Sequence, residues 1–344
     1  MTEPKSLSRR DFNLLGRNAL VVALTSPGFG ALAQGVTTFN LGHFSSANPQ
    51  TYSKATGTLA KALEGKATLN YVAMSSAPQF LAAMAGSSLD TCAIGSSPMV
   101  TAFAQRLDVS LVYIQKIITT AEALVVRKGS GVTKLADLRG RKIGVPFNTS
   151  AHFALVGGLS KAQLKPEDVQ LVNMKPDSLF ATWSRGEIDA AYIWYPFLGQ
   201  LVESGGQILQ TTADLKDIGL AVFDGILVRN QFKRQHPDIV LAYLRNYAAT
   251  AEKFRSQQET VVSDFSKFLG LPADVTRQYV STFVTLTPAE ILNNQWMGSV
   301  GAHDTGVLKS LRTQANFLLE AKQIETVPAS FEPFVDSSFV ARMV

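Results

Sequence analysis

The sequence predicts an α/β protein folded as two lobes of similar build, and three observations carry that prediction. From residue 36 to about residue 194, short apolar runs alternate with helix-compatible segments, the pattern of parallel sheets covered by helices. One stretch of the pattern recurs. Phe80 opens a helix that ends at Gly86, followed by a turn with Asp90, a buried run to Ile94 and then Pro98; Phe180 opens a helix that ends at Gly186, followed by Asp189, a buried run to Ile193 and then Pro196. Finally, Val125-Val126-Arg127-Lys128-Gly129 and Ile226-Leu227-Val228-Arg229-Asn230 flank the second block on both sides. Each is an apolar run entering a polar turn, so these two are the candidate crossover strands between lobes.

In chain order, the first segment reads as an export signal rather than as part of the fold. Ser8-Arg9-Arg10-Asp11-Phe12-Asn13-Leu14 has the twin-arginine pattern, residues 19–24 are a modest apolar run, and Ala31-Leu32-Ala33 is an A-x-A cleavage signature. Residues 1–33 are therefore expected to be removed and the mature chain to act in the periplasm. Strands are expected at 36–42, 69–74, 91–95 and 109–116, with helices at 52–63, 78–85 and 98–105. A second block follows, with strands at 142–147, 169–174 and 190–194 and helices at 152–160 and 178–184. Beyond Arg229 the chain reads as helical: His236-Pro237-Asp238 opens one helix, Thr287-Pro288-Ala289-Glu290 is a capping box, and Asp304 or Thr305 starts a long helix to about Lys322. The expected division is 34–130 with 222–344 in the first lobe and 131–221 in the second.

Composition narrows the function. The chain has 344 residues, 46% hydrophobic and 17% charged, which suits a well-cored globular protein. Its formal charge of +5 falls to +3 once the leader takes away four basic and two acidic residues, too weak and scattered a charge to argue for nucleic acid. No run is long enough to span a bilayer as a helix. Cys92 is the sole cysteine, so no internal disulfide is possible, and its place in an apolar strand reads as a buried thiol. His43, His152, His236 and His303 are isolated, with no metal-ligand spacing. No cofactor motif, Walker loop or catalytic dyad stands out, and Arg127 and Arg185 read as solvated turn residues.

Two strand-to-helix junctions attract attention as binding sites. Ile143 to Phe147 is a buried strand that turns straight into a helix through Asn148, Thr149 and Ser150, all good N-cap residues. At Gly95-Ser96-Ser97-Pro98, Ser97 suits the N-cap and Pro98 the first helical position. A helix start offers unpaired N–H groups and the positive end of the dipole, and thus a pocket for an anion without any Arg or Lys.

Collectively, several motifs resemble the taurine-binding periplasmic proteins of ABC importers. They are Gly95-Ser96-Ser97-Pro98, Ala121-Glu122-Ala123-Leu124-Val125-Val126, Val145-Pro146-Phe147 with Thr149, Ser150 and His152, Trp183-x-Arg185-Gly186-x-Ile188-Asp189, Tyr192-x-Trp194-x-Pro196, and Phe223-Asp224 with Val228-Arg229. The resemblance runs from about Val36 to the C-terminus. It implies the type II periplasmic binding protein fold, with two α/β lobes, two crossover strands and a ligand held in the cleft between them. It also implies delivery of the ligand to a membrane permease and an ATPase on separate chains, and the chain is expected to act as a monomer. The loops at Gly42-His43-Phe44 and at Met74-Ser75-Ser76-Ala77-Pro78-Gln79 depart from the taurine type, and the second is closer to alkanesulfonate binders.

An amino-sulfonate is a zwitterion. The resemblance implies that Ser97, Thr149, Ser150 and nearby N–H groups serve the sulfonate, and that Glu122 and Asp224, acids at the mouths of apolar strands, serve the ammonium. Trp194 is a candidate wall for the two-carbon body, His152 a candidate sulfonate donor, and His43 and Gln79 further candidate contacts. Two alternatives stay open: a binder of an amine-free alkanesulfonate or other small anion, and an enzyme of desulfinase type on the same fold.

Overall fold

Two five-stranded sheets organise the chain in a computed structural model that describes residues 36–44, 48–74, 76–218 and 221–344. The expected leader and Ser75 of the loop at Met74–Gln79 lie outside the described residues. Four strands open the first sheet: β1 (Thr37–His43), β2 (Ala67–Ala73), β3 (Thr91–Gly95) and β4 (Val109–Ile117). Five form the second: β5 (Glu122–Arg127), β6 (Lys142–Val145), β7 (Gln170–Asn173), β8 (Ala190–Trp194) and β9 (Gly206–Thr211). The chain then returns to the first sheet as β10 (Phe223–Arg229). The strand orders are β2-β1-β3-β10-β4 and β7-β6-β8-β5-β9, so the two sheets share one topology.

That topology corrects two expectations. The sheets are mixed rather than parallel, since β10 runs antiparallel to β3 and β4, and β5 antiparallel to β8 and β9. Nor are Val125–Gly129 and Ile226–Asn230 crossovers: β5 lies wholly in the second sheet and β10 wholly in the first, and the chain changes sheet before Glu122, ahead of the boundary expected near residue 130. The physical reason is directional. A chain arriving from the other sheet enters at the edge where the parallel strands end, so it must run against them. Its first residues, Glu122 in β5 and Asp224 in β10, are thereby fixed at the carboxyl edge, where open α/β sheets bind ligands.

Helices α1 (Pro49–Thr56), α2 (Thr58–Ala62), α3 (Ala77–Ala85) and α4 (Ser96–Ala104) connect strands of the first sheet, and α5 (Ser150–Lys161), α6 (Pro176–Ser184) and α7 (Phe197–Glu203) those of the second. The single helix expected at 52–63 is divided at Gly57, whose φ of 68° is left-handed and closes α1. After β10 come α8 (Asn230–Gln235), α9 (Pro237–Ser256), α10 (Gln258–Leu269), α11 (Ala273–Ser281), α12 (Pro288–Ile291), α13 (Gly306–Glu320) and α14 (Ser338–Ala341). The capping box at Thr287 and the N-cap at Thr305 form as read.

Burial follows the strand period. In β5, Leu124 and Val126 face the core under α5, while Ala123 and Val125 face Leu179 and Trp183 of α6 and Leu198 and Leu201 of α7. In the first lobe, Tyr243 and Tyr247 of α9 and Val307, Leu311 and Ala315 of α13 join Phe39, Leu41, Leu111 and Ile226 in one core.

The internal repeat extends to side chains. Asp90 Oδ2 accepts the Asn40 N–H at 2.8 Å, and Asp189 Oδ2 accepts the Lys142 N–H at 2.8 Å. Arg229 Nε donates to the Leu89 carbonyl at 2.9 Å, and Arg127 Nε to the Ile188 carbonyl at 3.1 Å. Arg127 is thus no solvated turn residue; it stacks over Trp183 at 4.3 Å, whereas Arg185 sits exposed beside Glu187. Counting back five residues from each arginine reaches Glu122 and Asp224, which makes the two acids equivalents in the two lobes.

Candidate functional site

The two lobes meet where these equivalent acids stand. Glu122 pairs in register with Trp194 at the end of β8, and Asp224 with Gly95 at the end of β3. One lobe thus sets a bulky ring beside its acid and the other no side chain at all. The gap at Gly95 is used: a Cβ there would lie 3.3 Å from Ser150 Oγ and 3.5 Å from Asp224 Oδ1. Ser150 belongs to the second lobe, so a glycine in the first lobe admits it next to Asp224.

Ser150 Oγ donates to Glu122 Oε1 at 2.6 Å. The other carboxylate oxygen, Oε2, is buried with no partner among the described residues. Burial pushes the Glu122 carboxyl up to about 7; the Ser150 hydroxyl opposes that rise, Asp224 adds to it and Lys116 opposes it. Asp224 is matched differently, with Lys116 Nζ 3.3 Å from its Oδ2 and both side chains 19% exposed. The ladder makes this pair. Gly225 lies opposite Ile114, but a bulge skips Gln115 and brings Lys116 opposite Asp224. Sequence reasoning missed Lys116, which reads simply as the polar end of a strand.

The first turn of α5 leaves the N–H groups of Ser150 and Ala151 without intrahelical partners beside this cluster. Thr149 caps that helix: its hydroxyl accepts from the His152 N–H at 3.3 Å and donates to the Pro146 carbonyl at 2.6 Å. Its proton is therefore committed, which differs from the expected donor role. Ser97 also differs. The helix begins two residues early, at Ser96 with Gly95 as N-cap, and Ser96 and Ser97 both donate to Gln314 Oε1 of α13, at 2.9 and 2.6 Å. Gln314 in turn donates to Ser310 at 2.9 Å, and Ser310 to the Ala221 carbonyl at 2.6 Å. No local signal marks Gln314, because the two serines that donate to it lie more than 200 residues away.

His152 is buried and stacked flat on Phe147, with centroids 4.3 Å apart, and meets the edge of Phe317 at 5.2 Å. Burial holds its pKa down at about 4, so the ring is neutral, and Nδ1 has no partner among the described residues. Trp194 is half-buried and packs on both cores of the second lobe. His43 is buried at the end of β1, edge-on to Tyr71, its pKa lowered by burial and then by Lys54. Gln79 stands exposed in the first turn of α3. The structure thus gathers Glu122, Ser150, Asp224 and Lys116 into one cluster, with the α5 helix start beside it.

Further contacts join the lobes outside this cluster. Thr101 of α4 donates to Asn148 Oδ1 at 3.0 Å, and Gln278 Nε2 of α11 donates to Tyr195 Oη at 2.6 Å, with Tyr279 edge-on to the Tyr195 ring.

Comparison with known proteins is consistent with this architecture. The model of the NMT1/THI5-like family matches residues 72–260. The taurine-binding periplasmic protein of Escherichia coli (strain K12) is 30% identical over 94% of this chain and 98% of its own length. Among solved structures, the periplasmic aliphatic sulphonate binding protein SsuA of Escherichia coli superposes with a TM-score of 0.72 at 23% identity, over 85% of this chain and 94% of that one. The desulfurization enzyme DSZB shares the fold with a TM-score of 0.62 at 17% identity, over 89% of this chain and 98% of that one.

Proposed function

We propose, from the premise that this chain belongs to the NMT1/THI5-like family, that it is the periplasmic solute-binding subunit of an ABC importer and captures taurine or a closely related organosulfonate. The observation that carries this reading is the buried Glu122 oxygen without a partner, set between two lobes and beside a helix start. A buried carboxylate oxygen without a donor is costly. An ammonium group supplies that donor, and the free N–H groups of α5 supply the complement for an attached sulfonate. Trp194, paired with Glu122, walls the short body between the two charges.

A binder is favoured over an enzyme on the same fold. Cys92 is fully enclosed in β3 with its thiol 3.3 Å from the Met84 sulfur, and burial pushes its pKa up, so it offers no thiolate nucleophile. The ligand is delivered to a permease and an ATPase on separate chains, and the protein acts as a monomer exported by the twin-arginine leader.

Calorimetry with taurine, ethanesulfonate, sulfate and glycine tests the assignment. Taurine is expected to bind most tightly and ethanesulfonate at least tenfold more weakly, the value of roughly one charge-assisted hydrogen bond. Tighter binding of ethanesulfonate than of taurine moves the assignment to an amine-free sulfonate. Intact mass of the periplasmic protein, expected to begin at Gln34, checks the export reading; a chain still carrying residues 1–33 removes it.

A further inference from the structure

We propose that Lys116 is a specificity-determining residue: it neutralises Asp224 from within the protein, so that a ligand is selected for bringing one cationic group to Glu122 and no more. This deepens the proposed function and rests on its placement of the ligand between Glu122 and the start of α5.

The argument begins with the backbone. Without the bulge at Gln115, the residue opposite Asp224 would be Gln115 itself; with it, the residue is Lys116. Bulges near binding sites re-aim side chains in this way. The lysine is held on both sides, with Asp224 Oδ2 at 3.3 Å and the face of the Phe283 ring at 4.9 Å. Four elements contribute the charged and polar groups of the cluster: Lys116 from β4, Asp224 from β10, Glu122 from β5 and Ser150 from α5. With Glu122 ionised, two carboxylates and one ammonium leave a single negative charge without compensation, and the partnerless oxygen places it on Glu122. A zwitterion with one amine completes the set. An amine-free anion leaves Glu122 unmatched and adds a further negative charge to a largely desolvated place.

Removing the lysine therefore changes ligands unequally. An added net negative charge a few ångströms from the ligand opposes an amine-free anion on the order of tenfold or more. A zwitterion is affected much less, because its ammonium gains Asp224 as a second partner while its acid group is repelled.

Calorimetry on the wild type, Lys116→Met, Lys116→Arg and Asp224→Asn, with the pairs taurine/ethanesulfonate and β-alanine/propionate, gives the test. The quantity read is the affinity ratio of the amine-bearing over the amine-free member of a pair. It is expected to rise about tenfold or more in Lys116→Met, to stay near the wild-type value in Lys116→Arg, and to fall in Asp224→Asn, where the lysine is released. The last variant decides the matter if Lys116→Met fails to fold. Equal weakening of both members in Lys116→Met, or an unchanged ratio in Asp224→Asn, overturns the proposal, since Lys116 would then hold the acid group or merely the fold. If the carboxylate pair binds and the sulfonate pair does not, the organosulfonate assignment falls, and the ratio still decides the role of Lys116. Binding of none of the four ligands to the wild type overturns both.

Discussion

Glu122 is the residue on which the proposed binding turns, and its protonation is open to measurement. Unfolded, the carboxyl releases its proton near 4.5; folded, burial delays release to about 7. Between those values the folded state holds the extra proton, so this residue makes the unliganded protein less stable as pH rises through the window. His152 acts in the opposite sense, because its lowered pKa favours the fold as pH rises past the imidazole range. Glu122→Gln isolates the first effect. Its melting temperature is expected to fall less between pH 5 and 8 than that of the wild type, and it is expected to bind taurine about ten- to a hundredfold more weakly. A melting profile parallel to the wild type with undiminished taurine binding would place the ammonium elsewhere. Glu122 and Asp224 were legible in the sequence because an acid opening an apolar strand is conspicuous. Lys116 was not, because only the bulge opposite Asp224 gives it a role.

At the scale of elements, α5 shows how capping shapes a site. Of three adjacent N-cap candidates, Thr149 takes the position, which leaves Asn148 in the left-handed region at φ 56° and frees Ser150 to reach Glu122. Thr149→Ala removes the acceptor for the His152 N–H and is expected to cost about 1 kcal/mol in chemical denaturation. Taurine affinity should change by less than about threefold, since the Thr149 hydroxyl donates to Pro146 rather than outward. A much larger loss of affinity without loss of stability would make that hydroxyl a ligand donor after all. The start of α4 tells the converse story: Ser97 looked equally exposed to a ligand, and Gln314 of a distant helix claims its proton.

Across the whole molecule, the lobes are joined outside the acid cluster by Thr101 with Asn148, by Tyr195 with Gln278 and Tyr279, and by the rings of His152 and Phe153 against Phe317. The two hydrogen bonds are worth little alone, and a ligand gripped by both lobes is expected to shift the balance between open and closed forms toward the closed one. Small-angle scattering is expected to show a smaller radius of gyration with taurine than without it, and a larger unliganded radius in Tyr195→Phe than in the wild type. Identical curves for all of these samples would refute a ligand-driven clamp.

The sequence by itself determined the α/β class, the repeat of the two lobes, the helix start at Thr149–Ser150 and the place of the two acids at the mouths of apolar strands. All of these rest on local signals: period, capping chemistry, glycine punctuation, and charge set against apolar runs. The tertiary structure alone decided that Val125 and Ile226 lie in inserted antiparallel strands, that Ser97 answers to Gln314, and that Asp224 already owns a lysine. Each of these depends on partners brought together by sheet order or on a one-residue slip in a ladder. Such pairings are settled by the packing of whole sheets, and no window of neighbouring residues records them.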